Sequence, residues 1–351
     1  MKKSRLLTML MSVAVVALLI VAGACSKEGP AGKDGTNGTN GEPGIDGTDG
    51  TATCAVCHDN SELVETKLLQ WGVSTHAVGG TYERNGTSCA PCHTSQGFKE
   101  VVLTGLQETA ADIMDPANIN CYTCHLVHDT YAVDDWALRA SDPVALWIDP
   151  TISIDLGTGN LCVNCHQPRN VTMPDVTNPD GDFEVTSSRF GPHHGPQSTV
   201  LTGNLFYEVG TGYSNSMHKD VENGCVGCHM ADAYGSQAGG HTFSMTYEYH
   251  GANAVWAAGC ISCHETDDAT HEAIEEWEAE YLPLVAALDT LLQNAGILTA
   301  SGSAVPGTYT NDVAGACWNY RTIALEDRSM GIHNPKMVKK ILQNSIAALT
   351  E

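Results

Sequence analysis

Cys54-Ala-Val-Cys57-His58 opens a pattern that the chain repeats at Cys89-Cys92-His93, Cys121-Cys124-His125, Cys162-Cys165-His166, Cys225-Cys228-His229 and Cys260-Cys263-His264. Two cysteines three apart lie on one face of a helical turn, where they are placed to form thioethers with the two vinyl groups of one porphyrin. The histidine that follows is then held beneath the iron as its proximal ligand. Zinc ribbons use two such cysteine pairs per metal and need no histidine after each one. A disulfide framework has no use for the same five-residue unit six times over. The pattern therefore predicts six covalently attached haem c groups, with His58, His93, His125, His166, His229 and His264 as proximal ligands.

The chain has 15 histidines, so nine remain for the second axial positions. His76 fills the gap between the first two motifs. His128 follows His125 by three residues in Cys-Tyr-Thr-Cys-His-Leu-Val-His, so both leave one side of a helical turn and His128 has to reach a neighbouring haem. Of the adjacent His193 and His194, which point apart, His194 is chosen. His218 precedes a motif by seven residues, His241 follows Gly239-Gly240, and His333 stands ahead of Pro335 at a helix start. These six are the expected distal ligands, with His250 and His271 in reserve. Ten methionines are present, but histidine is in surplus over iron, so His/His ligation and low potentials are expected.

Reading outward to the N-terminus, Lys2, Lys3 and Arg5 precede an apolar run from Leu6 to about Ala22, the form of an export signal over residues 1–24. Cys25, after Val21-Ala22-Gly23-Ala24, stands where a lipobox cysteine is acylated; the same small residues also suit ordinary signal peptidase, which leaves a soluble exported form open. From Gly29 to Gly50 glycine recurs at every third position. This is the collagen period, but Pro30 and Pro43 alone stiffen it, so residues 25–50 read as anchor and solvated spacer, an extended tether of roughly 70 Å.

Residues 51–351 are then the hexahaem domain, haem-rich over 51–265 and helical over 266–351. Punctuation by Gly, Asn, Asp and Pro dominates the first part. In the second, Ile274, Trp277, Tyr281, Leu284, Leu288 and Leu291 recur at helical spacing near Asp267 to Asn294, with a bend expected at Pro283. A loop runs to Asn311, Val313 to Ala324 marks a second helix and Pro335 opens a third. The fold class is mainly α with extensive irregular loops, organised around packed haems. Asn178-Pro-Asp180-Gly181-Asp182 reads as an Asx-Gly turn and not as a calcium loop, because Val176 occupies the first ligand position. Cys317, left over on a helix, reads as a small buried hydrophobe.

With 41 acidic and 17 basic residues the formal charge is −24, which excludes nucleic acid as a partner and suits a soluble body or basic redox proteins.

The six motifs resemble those of the exported multihaem cytochromes c of bacteria that respire on metals or other external acceptors. Over residues 214–346, Ser216-Met217-His218 before Cys-x-x-Cys-His-Met, then Gly-Gly-His241-Thr-Phe, then helices ending in Gly-Ile-His333-Asn-Pro, resemble the C-terminal half of pentahaem nitrite reductases and octahaem relatives. That resemblance implies distal roles for His218, His241 and His333, and dimer contacts for the long helices. The nitrite reductases mark their catalytic haem with lysine in place of the motif histidine, whereas every motif here ends in histidine. The expected function is electron transfer among periplasmic or outer-membrane redox proteins, and to extracellular acceptors, with no catalytic residue assigned. Two alternatives stand beside it: a reductase of nitrite or hydroxylamine at one open haem, with Tyr247, Tyr249 and His250 as acid and anion-binding candidates, and a protomer of a cytochrome filament.

Overall fold

The computed structural model describes residues 62–131 and 133–350, and these belong to one compact unit. The expected export signal, Cys25, the glycine-repeat spacer and the first motif, Cys54-Cys57-His58, lie outside the described residues.

The chain is mainly α. Its elements run α1 (Glu62–Val73), α2 (Thr75–Val78), α3 (Ala90–His93), α4 (Ser95–Thr104), α5 (Cys121–Cys124), β1 (Val144–Ala145), β2 (Ser153–Ile154), α6 (Asn160–Val163), β3 (Asp182–Val185), α7 (Gln197–Thr202), α8 (Cys225–His229), β4 (Thr246–Tyr249), β5 (Ala252–Val255), α9 (Ile261–His264), α10 (Asp267–Asn294), β6 (Gly307–Thr310), α11 (Asn311–Tyr320) and α12 (Pro335–Ala348), with a π turn at Arg321–Glu326 between the last two. Three antiparallel two-stranded sheets pair β1 with β2, β3 with β6 and β4 with β5. Among the described residues no helix is long and apolar enough to cross a membrane.

Helices α10, α11 and α12 build the main core. Thr266 caps α10 by accepting from the Ala269 N–H at 3.1 Å, and Asp267 and Asp268 favour its positive end. The helix continues through Pro283. Leu288, Leu292, Cys317, Trp318, Ile323, Val338, Ile341 and Leu342 are fully buried there, so Cys317 sits in apolar packing as expected. A second, smaller cluster gathers Val144, Leu146, Ile154, Leu156, Val163 and Leu201.

Two buried amides tie the irregular segment before α8 to this bundle. Asn319 donates to the Tyr207 carbonyl at 2.8 Å and accepts from its N–H at 2.8 Å. Asn334 donates to the Leu201 carbonyl at 3.1 Å and accepts from the Ser216 N–H at 2.8 Å. A buried amide with its donors and acceptor engaged fixes register in a way apolar packing does not.

Three expectations change. The loop leading to Asn311 contains β6, paired with β3 from Asp182↔Thr310 to Val185↔Gly307; the Asn178–Gly181 turn, closed by Gly181 N–H to Asn178 carbonyl at 2.9 Å, launches β3. The second C-terminal helix ends its α-pitch at Tyr320 and widens into the π turn. His128 does not share a helical turn with His125. The capping box of Asn120 and Thr123 starts α5, which ends at Cys124; His125 is extended and His128 has a φ of +63°.

Candidate haem site

Each described motif folds as about one helical turn, and in four of the five the motif histidine's N–H closes it onto the first cysteine's carbonyl: His125 to Cys121 at 2.8 Å, His166 to Cys162 and His264 to Cys260 at 2.9 Å, His93 to Cys89 at 3.2 Å. That turn sets both sulfurs and the imidazole on one side of the backbone.

One continuous cavity of about 2280 Å³ is lined by the cysteines and histidines of all five described motifs, and by His76, His193, His194, His218, His241 and His333. Pockets for one small ligand are about 300–1,000 Å³, so this space suits several large planar groups. His128, His250 and His271 lie outside its lining, as do Tyr247 and Tyr249. His128 packs against Tyr122 and Tyr131; His250 is at the tip of the β4–β5 hairpin, and His271 donates from Nδ1 to the Asp267 carbonyl within α10 at 2.9 Å.

Four motif histidines each face one other histidine across the cavity. Ring centroids are 6.3 Å apart for His166 and His76, 6.3 Å for His125 and His241, 6.2 Å for His264 and His218, and 6.2 Å for His229 and His333. A metal-bound histidine nitrogen lies about 2.0 Å from the metal and the ring centroid about 1.1 Å behind it, so two imidazoles opposed across one iron have centroids about 6.2 Å apart. The fifth described motif histidine, His93, sits within the electrostatic reach of His193 and His194. Of these two, His194 has its Nδ1 held by the Glu326 carboxylate.

The outer nitrogens are anchored. His125 Nδ1 reaches the Trp136 carbonyl at 2.7 Å, His229 the Phe243 carbonyl at 2.9 Å, His218 the Ile332 carbonyl at 2.6 Å, His166 the Gln197 Oε1 at 3.1 Å, and His333 the Asp327 carboxylate at 2.6 Å. Carbonyls and carboxylates only accept, so Nδ1 carries the proton and Nε2 offers its lone pair inward. His241 Nδ1 is buried without a partner in the protein. Burial, reinforced by the neighbouring charge of His166, pulls His76 down to about 4. Burial, followed by Lys67 and His125, does the same for His241, also to about 4. Neutral imidazoles are the form that binds metal. For His333 burial again pulls downward, but the charge and hydrogen bond of Asp327 outweigh it and its pKa is raised.

Neighbouring motifs are close. The sulfurs of Cys92 and Cys165 lie next to each other, as do those of Cys162 and Cys225. Cys124 lies near both Cys162 and Cys165, and Cys228 near Cys260 and Cys263. The fourth motif, at Cys162-Cys165-His166, thus touches the second, third and fifth, and the fifth leads to the sixth. Two glycines permit the approach: a Cβ on Gly159 would meet the Asn223 carbonyl oxygen at 2.7 Å, and one on Gly259 would meet Cys228 Cα at 2.8 Å.

The donor set fits haem c. The described cysteines form no disulfides, and among the described residues no three His, Cys, Asp or Glu side chains converge to hold a bare ion. Four pairs of rings stand at the centroid separation that two axial imidazoles on one porphyrin iron require. Gln197, Phe243, Glu326 and Asp327 escape sequence reasoning, because nothing local marks a residue whose role is to hold a distant imidazole. Compared with known proteins, the chain matches no family model, no curated protein and no solved structure.

Proposed function

We propose that this protein is an exported hexahaem cytochrome c that transfers electrons through bis-histidine sites. The observation that carries the reading is the set of four opposed histidine pairs at 6.2–6.3 Å inside one cavity lined by five attachment motifs. The cysteines of each motif would hold the porphyrin, and the pairs His166–His76, His125–His241, His264–His218 and His229–His333 would hold its iron, with His93 and His194 as a fifth pair. Haem held in this way supplies a one-electron couple with both axial positions filled. The residues' own work is to exclude water, fix each imidazole through Nδ1 and bring the attachment turns into contact.

The paired histidines favour this reading over a nitrite or hydroxylamine reductase, since a reductase needs an iron facing no second histidine. Acylation at Cys25 and the glycine-repeat spacer would tether the body to the outer membrane, facing periplasmic or surface redox partners and, through them, extracellular acceptors.

The test is a haem count by mass and pyridine haemochrome on the purified mature protein, with electron paramagnetic resonance of the oxidised sample. Six haems, all low-spin, are expected. Absence of covalent haem refutes the reading, and a high-spin centre in the wild type transfers it to the reductase.

A further inference from the structure

The outer nitrogens of six anchored cavity histidines end on chemically different acceptors. His125, His229 and His218 use backbone carbonyls and His166 uses an amide oxygen. His333 ends on a carboxylate, as does His194. Those two carboxylates, Asp327 and Glu326, are neighbours in sequence, both almost fully buried, at the end of the π turn.

Successive residues of an α-helix point about 100° apart, which ill suits two adjacent buried acids serving two nearby sites. Here the Asp327 N–H bonds five residues back to the Thr322 carbonyl at 2.9 Å, and the wider turn brings both acids onto histidines that line the cavity. Glu326 also receives the His194 N–H at 2.9 Å and the guanidinium of buried Arg321 at 3.3 Å. Asp327 accepts from Ser329 as well as from His333.

We propose that Glu326 and Asp327 are positioning residues that set redox potential, each acting through the outer nitrogen of one axial histidine and lowering the potential of its site relative to the site between them. This rests on the haem reading given above. A carboxylate on Nδ1–H pushes electron density onto the imidazole and stabilises the more positively charged, oxidised iron; a neutral carbonyl does so far less. The two lowered sites are those of the second motif, through His194, and of the fifth, through His333. The fourth motif touches both and is held by neutral partners, so its site lies higher than either neighbour and is where an electron shared among the three comes to rest. Glu326 shares its charge with Arg321, which makes the Asp327 effect the larger.

The experiment is a spectroelectrochemical titration of the full haem-loaded protein, following individual low-spin signals, for the wild type, Asp327→Asn and Glu326→Gln. Asp327→Asn keeps an acceptor of the same shape without the charge. It is expected to favour reduction of one haem about tenfold, about 59 mV for one electron. Glu326→Gln shifts a different haem in the same direction by less. Ser329→Ala, which leaves the charge but removes a donor to Asp327, shifts the Asp327-linked haem the opposite way and decides the matter if Asp327→Asn does not accumulate. Unchanged potentials with intact low-spin spectra overturn this proposal and leave the electron-transfer reading standing. Absence of bound haem in the wild type overturns that reading instead.

Discussion

His241→Ala removes one ring of the His125–His241 pair, whose planes lie within 27° of each other at 6.3 Å. One haem in six then loses an axial ligand, so about one-sixth of the iron converts to high spin while the remainder stays low-spin. The structural cost is small. His241 Nδ1 has no partner to strand, and its ring meets Phe243 at a centroid distance of 6.0 Å. A loss of about 1 kcal/mol, or a few degrees in Tm, is expected. His333→Ala gives the same one-sixth conversion at a different cost. It leaves Asp327, 3% exposed, without the imidazole that it holds at 2.6 Å. Stranding a buried carboxylate by removing its hydrogen-bond donor costs about 3 kcal/mol, which corresponds to several degrees in Tm. Spin quantification and thermal melting on the same two samples provide the assay. Fully low-spin iron in both variants would refute the axial assignments, and equal losses of Tm would refute the account of what each outer nitrogen holds.

Gly259→Ala puts a methyl group 2.8 Å from Cys228 Cα, so the fifth and sixth motifs have to separate; a loss of about 1–3 kcal/mol and weaker magnetic coupling between two haems are expected, and unchanged coupling would show that the approach is not set there. Cys317, fully buried and with its thiol pushed up to about 12 by burial, resists alkylation in the folded protein and becomes the one alkylated cysteine of residues 51–351 after unfolding; mass spectrometry showing several modified motif cysteines would refute thioether attachment. Asp149, Asp155 and Asp175 are held below the ordinary carboxylate range by hydrogen bonds from the side chains of Thr151, Asn160 and Thr177 and from nearby backbone N–H groups. Their contribution is therefore present above the unfolded value of about 3.9 and lost as pH falls through the lower folded values. Tm should drop as pH falls below about 4, and the triple Asn variant should show a smaller drop; an identical drop would refute the assignment.

The folding of the Cys-x-x-Cys-His motifs was legible because it is local: a cysteine pair, a histidine and one helical turn fall within five residues. Helix α10 and the start of α12 were legible for a similar reason, the first from its apolar period and the second from Pro335. Which histidines face each other was not, since His76 meets His166, and His125 meets His241, only after distant segments fold together. Helical spacing misled at His128 because the capping box makes α5 a single turn and His125 leaves it extended. The β3–β6 pairing is equally non-local. The π turn left no trace in the apolar pattern either: Val313, Cys317, Tyr320 and Ala324 keep helical spacing through it, while its hydrogen bonds answer to two buried acids and an arginine.

This distribution divides the chain into parts with different tasks. The conventional core lies under α10, α11 and α12, and from it come His333, the Ile332 carbonyl that fixes His218, the Asp327 that fixes His333 and the Glu326 that fixes His194. Among the described residues, the motif-rich half has a small apolar cluster of its own. It depends on Asn319 and Asn334 to hold its backbone against the bundle, and on Gln70 of α1, which accepts the His241 N–H at 3.1 Å. Attachment to a Cys-x-x-Cys-His turn needs only five contiguous residues, whereas the opposed histidine arrives from elsewhere in the chain. Under the haem reading, the proximal ligand is therefore present before the tertiary structure and the distal one is a product of it. The spin state of each iron then reports whether the particular pair of segments around it has closed.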